Sequence, residues 1–536
     1  MVVIGGGVNG AAAAREAALR GLKVALIEAR DFASGTSSRS SKLIHGGLRY
    51  LVQRQLRLVR EARRERRLLA SLAPHLAQPL PFLLPIYHGD PYSPLKIRGG
   101  LALYDWLGNL GREDRHRLYG PAETLRRVPA LKGEKLRAGA VYYDSLTDDA
   151  RLTLEYALDA AEHGAVAANY AEIRSFSLAA RGSRITRAEV ADHLTGKSHE
   201  VAARFWVNAA GPWVDKVRAL VPGYDGSKTS RTTKGIHLIL PCVSERTALF
   251  GAIPLDGRIF LMMPWHGHSL LGTTDTEYEG DPEAAEPTEA DIEYLLQALN
   301  RILRVPIKRE CVTGSFAGLR ALAAEAGKDP SANTREYRFH RDSWAGNMIT
   351  VCGGKLTTAR ALAENLVDLI ATELPAGTLG REAYASLSRT TPLPGGHMTG
   401  FTDFAGLVRA AREESVREFG IPAETAERIV RTYGSRWRKA LDPVREQRSL
   451  AEPLPGTAGV LASEVIFSIR EEMAVTVEDF MLRRSGLSWM SCVYPQVAAV
   501  ADIFGSEFGW SAEARQAALC KYERAIQGGP KAAAAS

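Results

Sequence analysis

Cysteine is scarce: five in 536 residues, at positions 242, 311, 352, 492 and 520. None forms a CxxC pair and the number is odd. That argues against a disulfide framework or a structural zinc, so the chain reads as reduced, intracellular and free of metal. Long apolar runs are missing too. No uncharged stretch approaches the ~18 residues that cross a bilayer, and the glycine-rich first stretch lacks the basic lead of a signal peptide. Charge of one sign is barely in excess, with 68 Lys and Arg against 61 Asp and Glu, a net +7. This suits an acidic substrate or an anionic surface and makes no case for nucleic acid. With 45% apolar and 24% charged residues the composition is globular, and the length predicts at least two domains.

What is present begins at once. Met1 to Ile4 is a short apolar run, followed by Gly5-Gly6-Gly7-Val8-Asn9-Gly10 in the pattern G-x-G-x-x-G. Ala11 to Leu19 is strongly helix-forming, and Lys23 to Ala29 reads as a second strand with Glu28 near its end. In such a βαβ unit Gly5 permits the tight turn, Gly7 lets backbone approach a pyrophosphate, and Gly10 lets helix and strand pack closely. The helix N-terminus offers N–H groups and a positive dipole end to phosphates. Glu28 would accept from ribose hydroxyls, which suits FAD or NAD and disfavours NADP. The first strand starts at residue 1, where several residues normally precede it, which points to a trimmed or misassigned start.

A polar, glycine-punctuated loop runs from Gly35 to Tyr50 and includes Thr36-Ser37-Ser38, Ser41-Lys42-Leu43-Ile44-His45 and Gly46-Gly47-Leu48-Arg49-Tyr50. From Gly5 through this loop the sequence resembles the FAD-dependent glycerol-3-phosphate dehydrogenases, within the D-amino-acid-oxidase-like flavoproteins. The similarity continues through 148–152, Asn208 to Trp213, Lys234 to His237, Gly272 to Asp275, Gly318-Leu319-Arg320, Thr334 to Tyr337, Gly353 to Thr358, 472–479 and Arg483-Arg484. One departure is Ala321, where Pro commonly follows the arginine of this motif.

The resemblance implies an α/β fold: a Rossmann-type FAD-binding domain, an antiparallel β-rich substrate domain and a C-terminal all-α cap domain. The expected boundaries are 1–390 for the first two, with the substrate sheet drawn from about 75–145 and 215–345. A linker at 391–396, a helical domain at 397–525 and a tail at 526–536 complete them. FAD would be held by Gly5, Gly7, Gly10, Glu28, Thr36, Ser37, Ser38, Ser41, Lys42, Leu43, His45, Gly47, Ala209, Gly211, Gly354, Lys355, Leu356 and Thr357. A helix beginning near Lys355 would aim its positive end at the flavin. Arg49, Tyr50, Thr274, Arg335 and Lys355 would bind substrate, because a phosphate dianion suits Arg forks and an ammonium. Arg320 would sit near the reacting oxygen, with His237 or His45 as the general base.

The implied reaction is oxidation of sn-glycerol 3-phosphate to dihydroxyacetone phosphate, hydride passing to flavin N5 and electrons to membrane quinone. Alternatives are an oxidase that uses oxygen and an amine or amino-acid oxidase. The implied location is cytoplasmic, on the inner face of an anionic membrane, with a homodimer left open. Two surfaces fit that placement. Arg49 to Arg67 is basic, with Val52, Leu56, Val59 and Ala62 at helical spacing, and Tyr92 to Leu110 mixes aromatics, leucines and cations.

Overall fold

The computed structural model describes residues 1–52, 55–90, 92–108, 115–180, 182–252, 258–324, 336–375, 385–489 and 494–527, with the side chains of 49, 52 and 252 excepted. The side chain of Arg49, Arg335 and Cys492 thus lie outside the described residues.

Runs of three to five residues, mostly apolar apart from the edge strand Arg338–His340, build a six-stranded sheet in the order Arg338–His340, Met348–Cys352, Trp206–Asn208, Val2–Ile4, Ala25–Ile27, Val166–Ala168. Its pairs are parallel except the first. Strands of a parallel sheet are buried on both faces and so read as continuous apolar segments rather than alternating ones. The Val8–Leu19 helix supplies the cover on one face. Its alanines are buried from Ala11 to Ala18 and let the Asp149–Glu162 and Ala359–Ala371 helices approach closely. Gly10 is required here, because a Cβ would collide with the Gly5 carbonyl; Gly5 itself has φ +106°.

A ten-stranded, mostly antiparallel sheet stands beside it, drawn from 43–44, 78–146 and 230–323. Ser230–Pro241 is its long central element, flanked by His268–Gly272 and Gly314–Ala323. A further three-stranded sheet, Ala171–Leu178, Ile185–Asp192 and Ser198–Ala202, follows the nucleotide sheet's edge strand.

After residue 403 the structure is helical: Phe404–Phe419, Ala423–Tyr433, Trp437–Glu446, Ala462–Glu471, Tyr494–Phe508 and Ala512–Gln527. These helices have apolar cores of their own around Trp437 and Phe504. The expected linker is not a free connector. Pro394, Gly395 and Gly396 form a buried turn. Gly395 packs against His75 and Glu155, a Cβ on Gly396 would strike the Leu72 carbonyl, and Leu393 N donates to that same carbonyl at 2.9 Å. Proline and glycine here serve close packing, which composition alone cannot tell from flexibility.

The basic helix is also redistributed. Leu56–Leu72 turns Val59, Ala62 and Leu69 into the protein's own interior. Arg63 stacks on Tyr104 at 4.1 Å, and Arg360 reaches the buried Glu65 at 2.6 Å. What remains outside is a row of arginines, Arg57, Arg60, Arg64 and Arg67. The Pro94–Gly108 helix behaves oppositely, leaving Leu95 77% and Trp106 71% exposed. No helix among the described residues is long and apolar enough to cross a membrane.

Candidate active site

A cleft of about 1170 Å³ runs between the two large sheets. On the nucleotide side it is lined by Gly5, Gly7 and Glu28, and by Ala209 and Gly211. Glu28 accepts from Gly6 N at 2.6 Å and from Arg30 N at 2.9 Å. Burial pushes its carboxyl pKa up and these two N–H donors oppose the rise. Ser37 Oγ accepts from Val8 N at 2.9 Å, at the N-terminus of the glycine-started helix. Asn9 Nδ2 donates to the Gly353 carbonyl at 3.1 Å, tying the first glycine turn to the second. Gly353 and Gly354 have φ of +78° and +99°, and Leu356–Thr358 opens the Ala359–Ala371 helix directly behind them.

The other wall comes from the second sheet. Thr36 Oγ1 donates to Leu319 O at 2.6 Å, fixing the loop to strand Gly314–Ala323. Arg320, on that strand, bonds Asp275 Oδ1 at 3.1 Å, Thr273 Oγ1 at 3.0 Å and the Thr274 carbonyl at 3.2 Å. The unbranched space it occupies belongs to Gly235, where a Cβ would strike both Arg320 and Thr273. His237 stacks on Phe316 with ring centroids 4.9 Å apart, and its Nε2 shares a 2.8 Å hydrogen bond with Ser41 Oγ. Burial first, then the charges of Arg320 and Lys42, push the His237 pKa down to about 3. It is therefore neutral at pH 7 and a weak base. Lys355 Nζ lies 3.9 Å over the Tyr50 ring, Tyr50 stacks with His45 at 6.3 Å, and His45 N donates to Thr357 Oγ1 at 3.2 Å.

Thus Thr36, Ser37, Ser41, Leu43, His45, Gly47, Tyr50, His237, Arg320, Gly354, Lys355, Leu356 and Thr357 all border one space. Four expected contacts do not. Gly10 acts behind the turn, as described. Ser38 Oγ turns back to the Gly35 carbonyl at 3.4 Å. Lys42, at φ +53°, directs Nζ to Asp149 Oδ1 at 2.6 Å and the Ser38 carbonyl at 3.1 Å, deep in the protein. Thr274 Oγ1 is taken by Ile236 N at 3.1 Å, so its neighbour Thr273 is the one that lines the cleft. Sequence reading missed Thr273, Asp275 and Gly235 as a unit with Arg320. Arg39, inside the Gly35 to Tyr50 loop, also lines the cleft.

The cleft is suited to FAD: glycines at the turns, a helix N-terminus for the pyrophosphate, an acid at the second strand's end and an apolar-floored chamber beyond. Comparison with known proteins bears on the same point. Residues 1–369 match the family described as FAD dependent oxidoreductase, and 386–515 the C-terminal domain of alpha-glycerophosphate oxidase. The aerobic glycerol-3-phosphate dehydrogenase of Staphylococcus haemolyticus is 37% identical over 91% of this chain and 86% of its own. That of Staphylococcus aureus is 34% identical over 98% and 94%. Among solved structures, the Bacillus halodurans glycerol-3-phosphate dehydrogenase complexed with FAD superposes with TM-score 0.79 at 31% identity, covering 98% of this chain and 94% of that one. The chain belongs to the FAD-dependent oxidoreductase family, in the branch that carries the alpha-glycerophosphate oxidase C-terminal domain.

Proposed function

We propose that this FAD enzyme oxidises sn-glycerol 3-phosphate to dihydroxyacetone phosphate and hands the electrons to a membrane quinone. The observation that carries this reading is that Arg320, His237, Thr273, Tyr50 and Lys355 all line the same cleft. The names of the relatives support the substrate. FAD, when bound, supplies a hydride acceptor at flavin N5. The chain's own groups do the rest. Arg320, held by Asp275 and Thr273, presents a fixed positive charge to the C2 oxygen, where negative charge grows as the C2 hydroxyl loses its proton. His237, neutral, accepts a hydrogen bond or a proton from that hydroxyl, its weak basicity limiting how long it keeps the proton. Lys355, together with Arg49 and Arg335, binds the phosphate.

Anaerobic addition of glycerol 3-phosphate should bleach the bound flavin. An unchanged spectrum, with bleaching by an amine or amino acid instead, would overturn the substrate. Rapid peroxide release with oxygen alone would identify an oxidase.

Attachment to an anionic membrane is part of the proposal, and the Pro94–Gly108 helix is the surface that supports it. Leu95, Leu103 and Trp106 stand exposed there, with Tyr92, Lys96 and Arg98 beside them. This mixture suits the headgroup boundary. Trp106→Asp should shift the protein from sedimenting with anionic vesicles to the supernatant; equal sedimentation would remove this helix from the reading.

A further inference from the structure

The Thr36–Ser38 turn ends at Arg39. This side chain is half-buried and lines the cleft. Among the described residues its guanidinium forms neither a hydrogen bond nor an ion pair. Its charged neighbours are Arg483, Arg30 and Glu478. The one acid is already taken, since Glu478 accepts from Arg483 Nη1 at 2.9 Å. Arg30 is stacked on Trp213 at 5.0 Å and pairs with Glu283 at 3.3 Å. Burial, then Arg483 and Arg30, push the Arg39 pKa down. A half-buried cation that lines a cleft and has no counter-charge of its own is placed to answer an anionic ligand.

Position says which part of a ligand. Two residues before Arg39, Ser37 binds Val8 N at the start of the Val8–Leu19 helix, where a pyrophosphate settles. The Arg39 carbonyl abuts Gly318, where a Cβ would collide, so the loop backbone is pinned to the strand. The neighbours of Arg39 belong to the second-strand end and to the helical domain. The cations that act on His237, by contrast, are Arg320 and Lys42. The adenosine side of the cleft and the substrate chamber therefore draw on different cations.

We propose that Arg39 is the counter-charge for the FAD pyrophosphate. The inference concerns how this chain retains its cofactor, whatever the substrate.

The test uses the FAD-loaded protein, dialysed at several KCl concentrations, with retained flavin read by absorbance. Arg39→Ala should raise the FAD dissociation constant about tenfold or more, the value of roughly one charge-assisted contact. It should also flatten the dependence on salt. Arg39→Lys should fall between the two, and the KM for glycerol 3-phosphate measured on FAD-loaded molecules should stay within about twofold of the parent. If Arg39→Ala proves unfolded by circular dichroism, Arg39→Lys and Arg39→Gln carry the same comparison. Unchanged FAD retention with a raised KM would move Arg39 to the substrate phosphate and overturn the proposal. Unchanged values of both would mean that solvent ions answer its charge, which overturns it equally.

Discussion

Arginine is used in two opposite ways in this molecule. At the junction between the helical domain and the nucleotide sheet it is buried and closed by carboxylates. Asp31 takes Arg483 at 2.5 Å and both Nη of Arg484 at 2.7 and 2.9 Å, and Glu472 takes Arg151 at 2.6 Å. All of these side chains are nearly without solvent contact. In the cleft, Arg320 keeps 21% of its side chain exposed while bonding a carboxylate, a hydroxyl and a carbonyl, and Arg39 has no such partner among the described residues. A closed pair has nothing left for a ligand. A cation that borders the open cleft can still meet one. The difference separates buried, paired arginines from those that border the cleft, a distinction that motif membership does not make, since both groups fall in the segments that resemble the family.

The comparison can be broken in three places. Glu472→Ala should produce the largest effect. It leaves Arg151 buried without its carboxylate, and stability measured by urea unfolding should fall by about 3–5 kcal/mol. A loss under about 1 kcal/mol would mean that the junction pairs are ornamental. Arg320→Ala comes next. It should lower kcat about 100-fold with FAD content and melting temperature close to the parent; a normal kcat with a raised KM would make Arg320 a binding group only. The smallest per pH unit concerns the neutral imidazole packed between these charges. Unfolded, His237 binds a proton near pH 6.5; folded, only near pH 3. Between those values the unfolded chain holds more protons, so stability should decline as pH falls from about 6.5 toward 3, by up to about 1.4 kcal/mol per pH unit from this residue. His237→Gln should remove that part of the slope in acid unfolding curves, and an unaltered slope would count against the buried, neutral state.

Local signals were legible. Gly5, Gly7, Gly10 and Glu28 announce the nucleotide unit because a tight turn, a close approach and a strand-end acid are needed within thirty residues, where spacing carries the geometry. The loop Thr36 to Tyr50 was legible as a ligand loop for its mixture of glycine and hydroxyls. Its individual side chains were not. Lys42 turns inward because its backbone is left-handed and because Asp149, 107 residues away, waits for it. Thr273 rather than Thr274 meets the cleft because Thr274 Oγ1 is spent on the Ile236 N–H of the neighbouring strand. The basic helix at Leu56–Leu72 was legible as amphipathic, but periodicity does not say whether the apolar stripe meets lipid or the protein's own core; Tyr104 and Arg360 decide that.

By itself, then, the sequence determined the family, the cofactor and the succession of an α/β part and a helical part, since these rest on local turns and on runs of apolar residues. Tertiary structure alone decided which cations are spent on buried carboxylates and which border the cleft. Charge pairing depends on distances between residues hundreds of positions apart, such as Asp31 with Arg484 or Arg151 with Glu472, and no local pattern encodes those distances.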